Sequence, residues 1–320
     1  MIAGIFSLLA QLLHAGLVLA LAPVLIGFVR FIKARLMGRR GPPLLQPWRD
    51  ILKLLRKRPV LAEGATAITQ ATPYIACAAT FLAACLVPGF AQGMVLAPMA
   101  DLLLLAGLLA LARLALALAG MDAGTAFGGM GAAREMSFSI FSEPVLLLCI
   151  LVLAMVAGTT NLDTMVAALR DGGVGLRVSL ALAAVALLAV ALVENARMPA
   201  DNPATHLELT MVHEAMILEA SGRHLALWEM QAALKLLVWM ALLSAVFFPW
   251  GVAPAAAGPG AWALGLLLWS GKLFGLAFAL AVFESAIAKL RIFRVPEFLG
   301  VALLLAALAV ALLFVSTGLA

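Results

Sequence analysis

Residues 99–119 read MADLLLLAGLLALARLALALA (Met99–Ala119). At a helical rise of 1.5 Å per residue, this run spans the ~30 Å hydrocarbon layer of a bilayer. A single ionised group, Arg113, stands near its middle. Placing Arg at the centre of a membrane helix costs on the order of 2.5–3.5 kcal/mol, so it is retained for a partner or a task. Met99–Ala119 therefore predicts a membrane helix carrying a charge that the rest of the chain must answer.

The same apolar pattern recurs outward in both directions. Hydrophobic residues make up 65% of the chain and charged residues 12%, with a mean hydropathy of +1.13. Soluble domains carry about 25% charged residues, so water is excluded as the main solvent. The runs at 5–31, 72–92, 99–119, 140–160, 177–196, 226–248, 262–288 and 296–317 are each long enough to cross. The expected fold is an all-α polytopic membrane protein: one transmembrane domain over 1–320, with about eight spans, an interfacial amphipathic helix and a helical inner loop. The first run is read as a span, because no Lys or Arg precedes Arg30 and the run is too long for a leader's apolar core.

Charge fixes the expected orientation. Sixteen of the 21 Lys and Arg residues fall between spans on one side, ten of them from Arg30 to Arg58, and only Arg170 and Arg177 fall on the other. The positive-inside rule then places the N-terminus outside and the basic loops in the cytoplasm, across a bacterial or archaeal inner membrane. The net charge of +5 belongs to these loops and not to nucleic-acid binding. Cys77, Cys85 and Cys149 lie within apolar runs without metal-ligand spacing, so no cluster or zinc is expected in this chain.

Two inner loops have structure of their own. In Pro47–Arg58 (PWRDILKLLRKR), Trp48, Ile51, Leu52 and Leu55 form one apolar stripe at i, i+3, i+4 and i+7. Such a helix lies in the membrane interface, as a simple surface helix, a lid over a cavity or a docking surface. In 197–225, Asn202 and Pro203 make an N-cap and first-turn pair and Gly222 a terminator, predicting a helix over 203–220. Glu208 and Glu219 share a face of it, three turns apart. This loop also carries His206, His213 and Glu214, and Glu194 ends the span before it.

Further ionisable groups fall within spans: Lys235 in the sixth, Lys272 and Glu284 in the seventh, with Glu143 opening the fourth and Asp101 the third. Pairing between helices accounts for any one of them. Titratable groups on several helices together are what a proton relay requires. Other chemistry fails on spacing. HEAMI at 213–217 has Ile217 where a zinc-protease motif needs its second His. Gly120, Gly124 and Gly128 fall in an inner loop at 120–131 and fit tight turns or close helix packing, not phosphate binding.

The loops carry a resemblance. Gly41–Lys57 (GPPLLQPWRDILKLLRK) resembles the GP…LLQP…D..KLL signature of a complex I family, that of the membrane subunit beside the hydrophilic arm, known in mitochondria as subunit 1. Glu194–Asp201 (ENARMPAD) is similar to its E-x-N-R-x-P-x-D motif at Glu194, Arg197, Pro199 and Asp201, and Glu219–Gly222 (EASG) to its E-Y-S-G. Gly131–Glu143 (GAAREMSFSIFSE) resembles the approach to the fourth span, with Glu143 at the carboxylate position. One departure follows: Asn202–Met211 (NPATHLELTM) has Ala204, Thr205 and His206 where quinone-reducing members carry acids, keeping only Glu208. That form, with MDAGTAFGGMGAAREM at 121–136, resembles the hydrogenase branch: formate hydrogenlyase, hydrogenase-4 and energy-converting membrane-bound nickel–iron (NiFe) hydrogenases.

The resemblance implies a membrane-arm subunit that docks a NiFe hydrogenase module and couples electron transfer to proton translocation. Its implied relay is Glu143, Glu194, Glu208, Glu219, Lys235, Lys272 and Glu284. Arg134, Glu135, Arg197, Asp201, His206, His213 and Glu214 are assigned to docking or loop structure, and loops 33–70, 120–136 and 197–225 to the docking surface. The implied partners are the hydrogenase large and small subunits, a ferredoxin-like iron–sulfur subunit and antiporter-like membrane subunits. Cofactors are expected on those partners and none in this chain. A quinone-site subunit of an NADH-quinone oxidoreductase and a stand-alone cation/proton antiporter are the alternatives.

Overall fold

A computed structural model describes residues 2–171, 178–201, 211–254 and 257–318. The described residues form eleven α-helices: α1 Ile2–Leu36, α2 Gln46–Leu55, α3 Ala67–Leu86, α4 Leu102–Asp122, α5 Ala126–Ala157, α6 Leu162–Arg170, α7 Val178–Glu194, α8 His213–Ile217, α9 Gly222–Phe247, α10 Pro259–Ala286 and α11 Val295–Gly318. No strand pairs with another among these residues beyond two isolated bridges, Ala91 with Ala253 and Asp101 with Asn161. Seven helices are long and apolar enough to cross a membrane, and α7 is a shorter apolar helix. The chain is an all-α, multi-pass membrane protein.

Local chemistry sets the helix starts. The side chains of Thr66, Asp101, Thr125 and Asn161 accept hydrogen bonds from the first-turn N–H groups of α3, α4, α5 and α6. Those donors have no intrahelical acceptor and would otherwise be orphaned in or near lipid. Thr125 changes one reading. The glycine-rich stretch expected as an inner loop over 120–136 is reduced to a turn at 123–125, with Gly124 at φ +66, and α5 begins at Ala126. The glycines permit this: a Cβ on Gly128 would run into the carbonyl of Gly120, and one on Gly131 would meet the carbonyl of Val212 at 2.8 Å. They are contact points between α4, α5 and α8.

The loop 197–225 also departs from expectation. Of the helix expected over 203–220, residues 202–210 lie outside the described residues, and the rest is helical only at His213–Ile217. Gly222 opens α9 instead of closing the preceding helix. The interfacial helix is present as α2, but its stripe divides. Ile51 is buried and Trp48 donates its indole N–H to the Ala20 carbonyl at 2.9 Å, whereas Leu52 and Leu55 are exposed.

The bundle is built around α9, whose apolar window is 83% buried, against 22% for α10 and 28% for α11. Helices α1, α2, α3 and α10 pack on α9, α4 joins α3 to α5, and α5, α7 and α11 pack together. At the end opposite the basic loops, Leu102 N–H donates to Thr160 O at 3.0 Å and Leu162 N–H to Ala100 O at 2.6 Å. Ala253 N–H donates to Phe90 O at 2.9 Å. These bonds tie the connecting segments into a fixed platform.

The segment leading into α2 comes closest to α1 at Gly27, where a Cβ would collide with the Leu44 carbonyl, while Gly16 on the same helix faces open space. Gly27→Ala is expected to lower stability by on the order of 1–3 kcal/mol, as overpacking does. Gly16→Ala should be neutral or slightly stabilising from helix propensity alone. Thermal scans of the detergent-solubilised protein check both.

Candidate functional site: a charge chain beside a cavity

Arg113 is 4% exposed and sits about midway along α4. Its Nη1 pairs with Glu143 Oε1 of α5 at 2.9 Å, and its Nη2 pairs with Glu194 Oε1 of α7 at 3.0 Å. Glu194 also accepts from Ser142 Oγ at 3.0 Å, and its Oε2 lies 3.3 Å from Lys235 Nζ of α9. That last contact is an ion pair without hydrogen-bond alignment, for Glu194 Oε2 has no hydrogen-bond donor. Four helices thus contribute to one chain, Lys235–Glu194–Arg113–Glu143. Three of its members are buried, but the Glu143 side chain is 51% exposed. The chain therefore ends at the surface.

A second cluster lies nearer the basic end. Glu284 of α10 is fully buried, with Lys33 Nζ at 2.8 Å and Arg197 Nη1 at 3.5 Å. Lys289 Nζ pairs with Asp201 Oδ1 at 2.7 Å. These groups meet where α7 ends, at Glu194. The following residues 195–201 enter the bundle through a turn at Ala196, φ +48, so Arg197 and Asp201 are buried. Glu194, as the last residue of α7, would face that helix's own negative end, and the neighbouring Arg113 and Lys235 compensate both charges.

The space beyond the Glu194 end of α7 is a cavity of about 470 Å³. Its wall includes Arg30 and Lys33 of α1, Glu194, Arg197, Asp201, His213 and Glu214 of α8, and Glu229 and Lys235 of α9. Burial pushes the Glu214 carboxyl up to about 7, with Glu229 and Asp201 adding repulsion. Burial likewise pushes His213 down to about 4, aided by Lys235. A smaller apolar cavity of about 230 Å³ between α7, α9 and α10 shares Asn195, Arg197 and Leu236 with the first.

Of the expected relay residues, the structure brings together Glu143, Glu194 and Lys235, and places Glu284 in the adjacent cluster. Lys272 does not join them. It is about 18 Å along α10 from Glu284, its ammonium donating to the carbonyls of Phe248, at 2.6 Å, and Trp250. It caps the end of α9. Glu219 is exposed in the turn after α8, apart from the cluster. Glu208 and His206 lie outside the described residues. Glu135, expected in a docking loop, is instead inside α5 and 8% exposed. Arg134 donates to the Met211 carbonyl at 2.9 Å.

Four participants were absent from the sequence expectation. Arg30 was counted only for orientation and Lys33 also as the start of the docking loop 33–70, yet α1 runs on to Leu36 and carries both to the cavity. Glu229 lies within the sixth span, and an acid there was itself the signal. Ser142, beside Glu143, had no signature of its own.

A sequence model described as NADH dehydrogenase matches residues 8–315. Formate hydrogenlyase subunit 4 of Escherichia coli (strain K12) is 33% identical over 291 residues, covering 91% of this chain and 94% of that protein. Hydrogenase-4 component C of the same strain is 33% identical over 246 residues, 77% of each chain. Among solved structures, a chain of the membrane-bound sulfane sulfur reductase, described as an archaeal respiratory membrane complex, superposes with a TM-score of 0.80. At 23% identity over 95% of this chain and 99% of that one, it shows a common fold.

Two measurements test the site's electrostatics. Arg113→Met leaves Glu194 with one cation fewer in a buried setting and is expected to cost about 3–5 kcal/mol. Glu143→Gln, at a half-exposed position, should cost under about 1 kcal/mol, both read by thermal unfolding. Glu214 binds its proton more tightly folded than unfolded, so its contribution is present below about 4.5 and is lost as pH rises to about 7. Glu214→Gln is expected to remove that loss and to raise the melting temperature above pH 7 relative to the parent.

Proposed function

The chain belongs to the NADH dehydrogenase family, and on that premise we propose that it is the membrane-arm subunit of a membrane-bound NiFe hydrogenase of the formate hydrogenlyase type. In this reading it docks the hydrophilic redox module and couples electron transfer there to proton translocation. The observation that carries the reading is the ion-pair chain from the cavity wall at Lys235 and Glu194, through Arg113, to the half-exposed Glu143. The 33% identity to formate hydrogenlyase subunit 4 favours this branch.

The chemistry follows from Arg113 serving two carboxylates at once. A proton arriving at Glu194 removes one claim on the guanidinium, which then pairs more strongly with Glu143. A proton on Glu143 reverses the preference. Charge can thus move across α4 without a cation leaving the bundle. Moving one charge against 100 mV costs about 2.3 kcal/mol, equivalent to less than two pKa units, which neighbouring charges supply readily.

Arg35, Arg39, Arg40, Arg49, Lys53, Lys57 and Arg58 are exposed around α2, a basic surface for the large, small and iron–sulfur subunits. With the N-terminus outside, this surface and the cavity face the cytoplasm. Because α5 absorbs most of 120–136, docking falls to 33–70 and the exposed parts of 197–225. A half-exposed Glu143 inside a span calls for a neighbouring polar group, which the antiporter-like subunits would provide, and this disfavours a stand-alone transporter. The NiFe centre and the clusters would reside on the partners.

One observation favours a second reading, the quinone-site subunit of an NADH-quinone oxidoreductase: the apolar cavity adjoins the polar one at Asn195 and Arg197, as a tail-and-headgroup ligand needs. Quinone-dependent turnover of the purified assembly would select it. Under the hydrogenase reading, hydrogen evolution proceeds without quinone. Glu194→Gln or Glu143→Gln then lowers coupled proton translocation in vesicles at least about tenfold. Intact pumping in both variants sinks the relay.

A further inference from the structure

Glu135 is the buried acid that the ion-pair chain leaves unused. It is 8% exposed and makes no hydrogen bond or ion pair among the described residues. Its charged neighbours are Lys235 of α9, Glu194 of α7, Arg113 of α4 and Asp201 of the segment after α7. On α5 itself, Arg134 is turned to the Met211 carbonyl and Glu143 is held by Arg113. From α8, His213 and Glu214 face the cavity. Helix α11 brings only Glu297, exposed and 3.3 Å from Arg294.

Charge balance decides the state of this group. Among the described residues, Arg113 and Lys235 are matched by Glu143 and Glu194, so a third ionised carboxylate in this buried cluster would be uncompensated. Burying such a charge is unfavourable, and Glu135 avoids it by holding its proton. Position then gives it a direction. Glu135, Ser139 and Ser142 recur at i, i+4 and i+7 on the buried face of α5, 8%, 5% and 1% exposed. The rest of that face is apolar or glycine among its buried positions. A serine hydroxyl both donates and accepts, as a proton path requires; the Ser139 hydroxyl rests on the Met136 carbonyl at 2.8 Å and rotates away from it to pass a proton. The stripe ends where Ser142 Oγ donates to Glu194 at 3.0 Å.

We propose that Glu135 is the proton-carrying carboxyl that supplies Glu194 along the Ser139–Ser142 stripe of α5. The inference rests on the relay reading above and adds to it a residue and a route. In the step, the O–H bond of Glu135 breaks and an O–H bond forms on Glu194. The two hydroxyls between them each pass on one proton and receive another. The negative charge moves from Glu194 to Glu135, which Lys235 and Arg113 also attract, so the cluster's net charge is unchanged. The lost proton is returned from the cavity, on whose wall stand Asp201 and Lys235, two of the charged groups that act on Glu135.

The test uses the whole membrane complex purified with this chain, assembly of each variant being checked by its subunit complement. Infrared difference spectra should contain a protonated-carboxyl band that Glu135→Gln removes. In reconstituted vesicles, Glu135→Gln should lower protons moved per hydrogen evolved about tenfold. Glu135→Asp should keep most of the transfer with a shifted pH profile, and Ser139→Ala should slow it. A spectrum that Glu135→Gln leaves unchanged overturns the proposal. So does normal translocation by Glu135→Gln in preparations where Glu194→Gln stops it, an outcome that leaves the relay standing. If Glu194→Gln is itself without effect, the relay fails and this route fails with it.

Discussion

A guanidinium buried in the middle of a lipid-embedded bundle has few stable arrangements. Arg113 must find anions within hydrogen-bonding distance or be expelled toward water, since an unpaired ion in that setting is costly. It finds two, Glu143 and Glu194, on different helices. That requirement fixes the depth of α5 and α7 relative to α4. Once Glu194 is fixed there, Lys235 follows, because one carboxylate oxygen remains to be neutralised. The core position of α9, which carries Lys235, is consistent with the same demand: the most buried helix holds a buried cation.

The end of α7 at Glu194 is the second constraint. Beyond it lies a recess, lined by Glu194, Asn195, Ala196, Arg197 and Asp201 together with α1, α8 and α9. The recess brings water-accessible polar groups to within one side chain of the buried chain of ion pairs. Its mixed lining of Arg30, Lys33, Asp201, Glu214 and Glu229 differs from the two-to-two pairing around Arg113. The cavity is where charge state can vary; the chain below it is where charge is held.

Much of this was legible in the sequence, and the reasons are physical. Crossing a bilayer takes a long apolar run, so the positions of the spans could be read directly. Their ends could not: Thr125 is one threonine among polar and glycine residues until its side chain is seen capping α5. Glu143, Glu194, Lys235 and Glu284 stood out because an ionisable residue in an apolar run demands explanation. Lys272 stood out for the same reason and proved unrelated, since an ammonium can equally be satisfied by the free carbonyls at the end of a neighbouring helix. Arg30 and Lys33 were hidden by their surroundings, where basic residues are common enough to need no account. Glu135 was hidden by a glycine-rich context that reads as loop.

The separation of the Arg113 partners along the chain also bears on how the protein enters the membrane. Glu143 follows Arg113 by 30 residues, with only 123–125 between their helices, whereas Glu194 follows by 81 and Lys235 by 122. During synthesis α4 emerges with a lone cation in an otherwise strongly apolar segment, and the first anion to reach it comes from the next helix. Integration of α4 and α5 as a paired hairpin neutralises the arginine before it is released into lipid. The anionic end of α7 and the lysine of α9 arrive afterward, as a second pair of opposite sign. The arrangement that holds charge in the finished bundle thus also sets a sequence in which no helix has to cross with its ion unaccompanied for long.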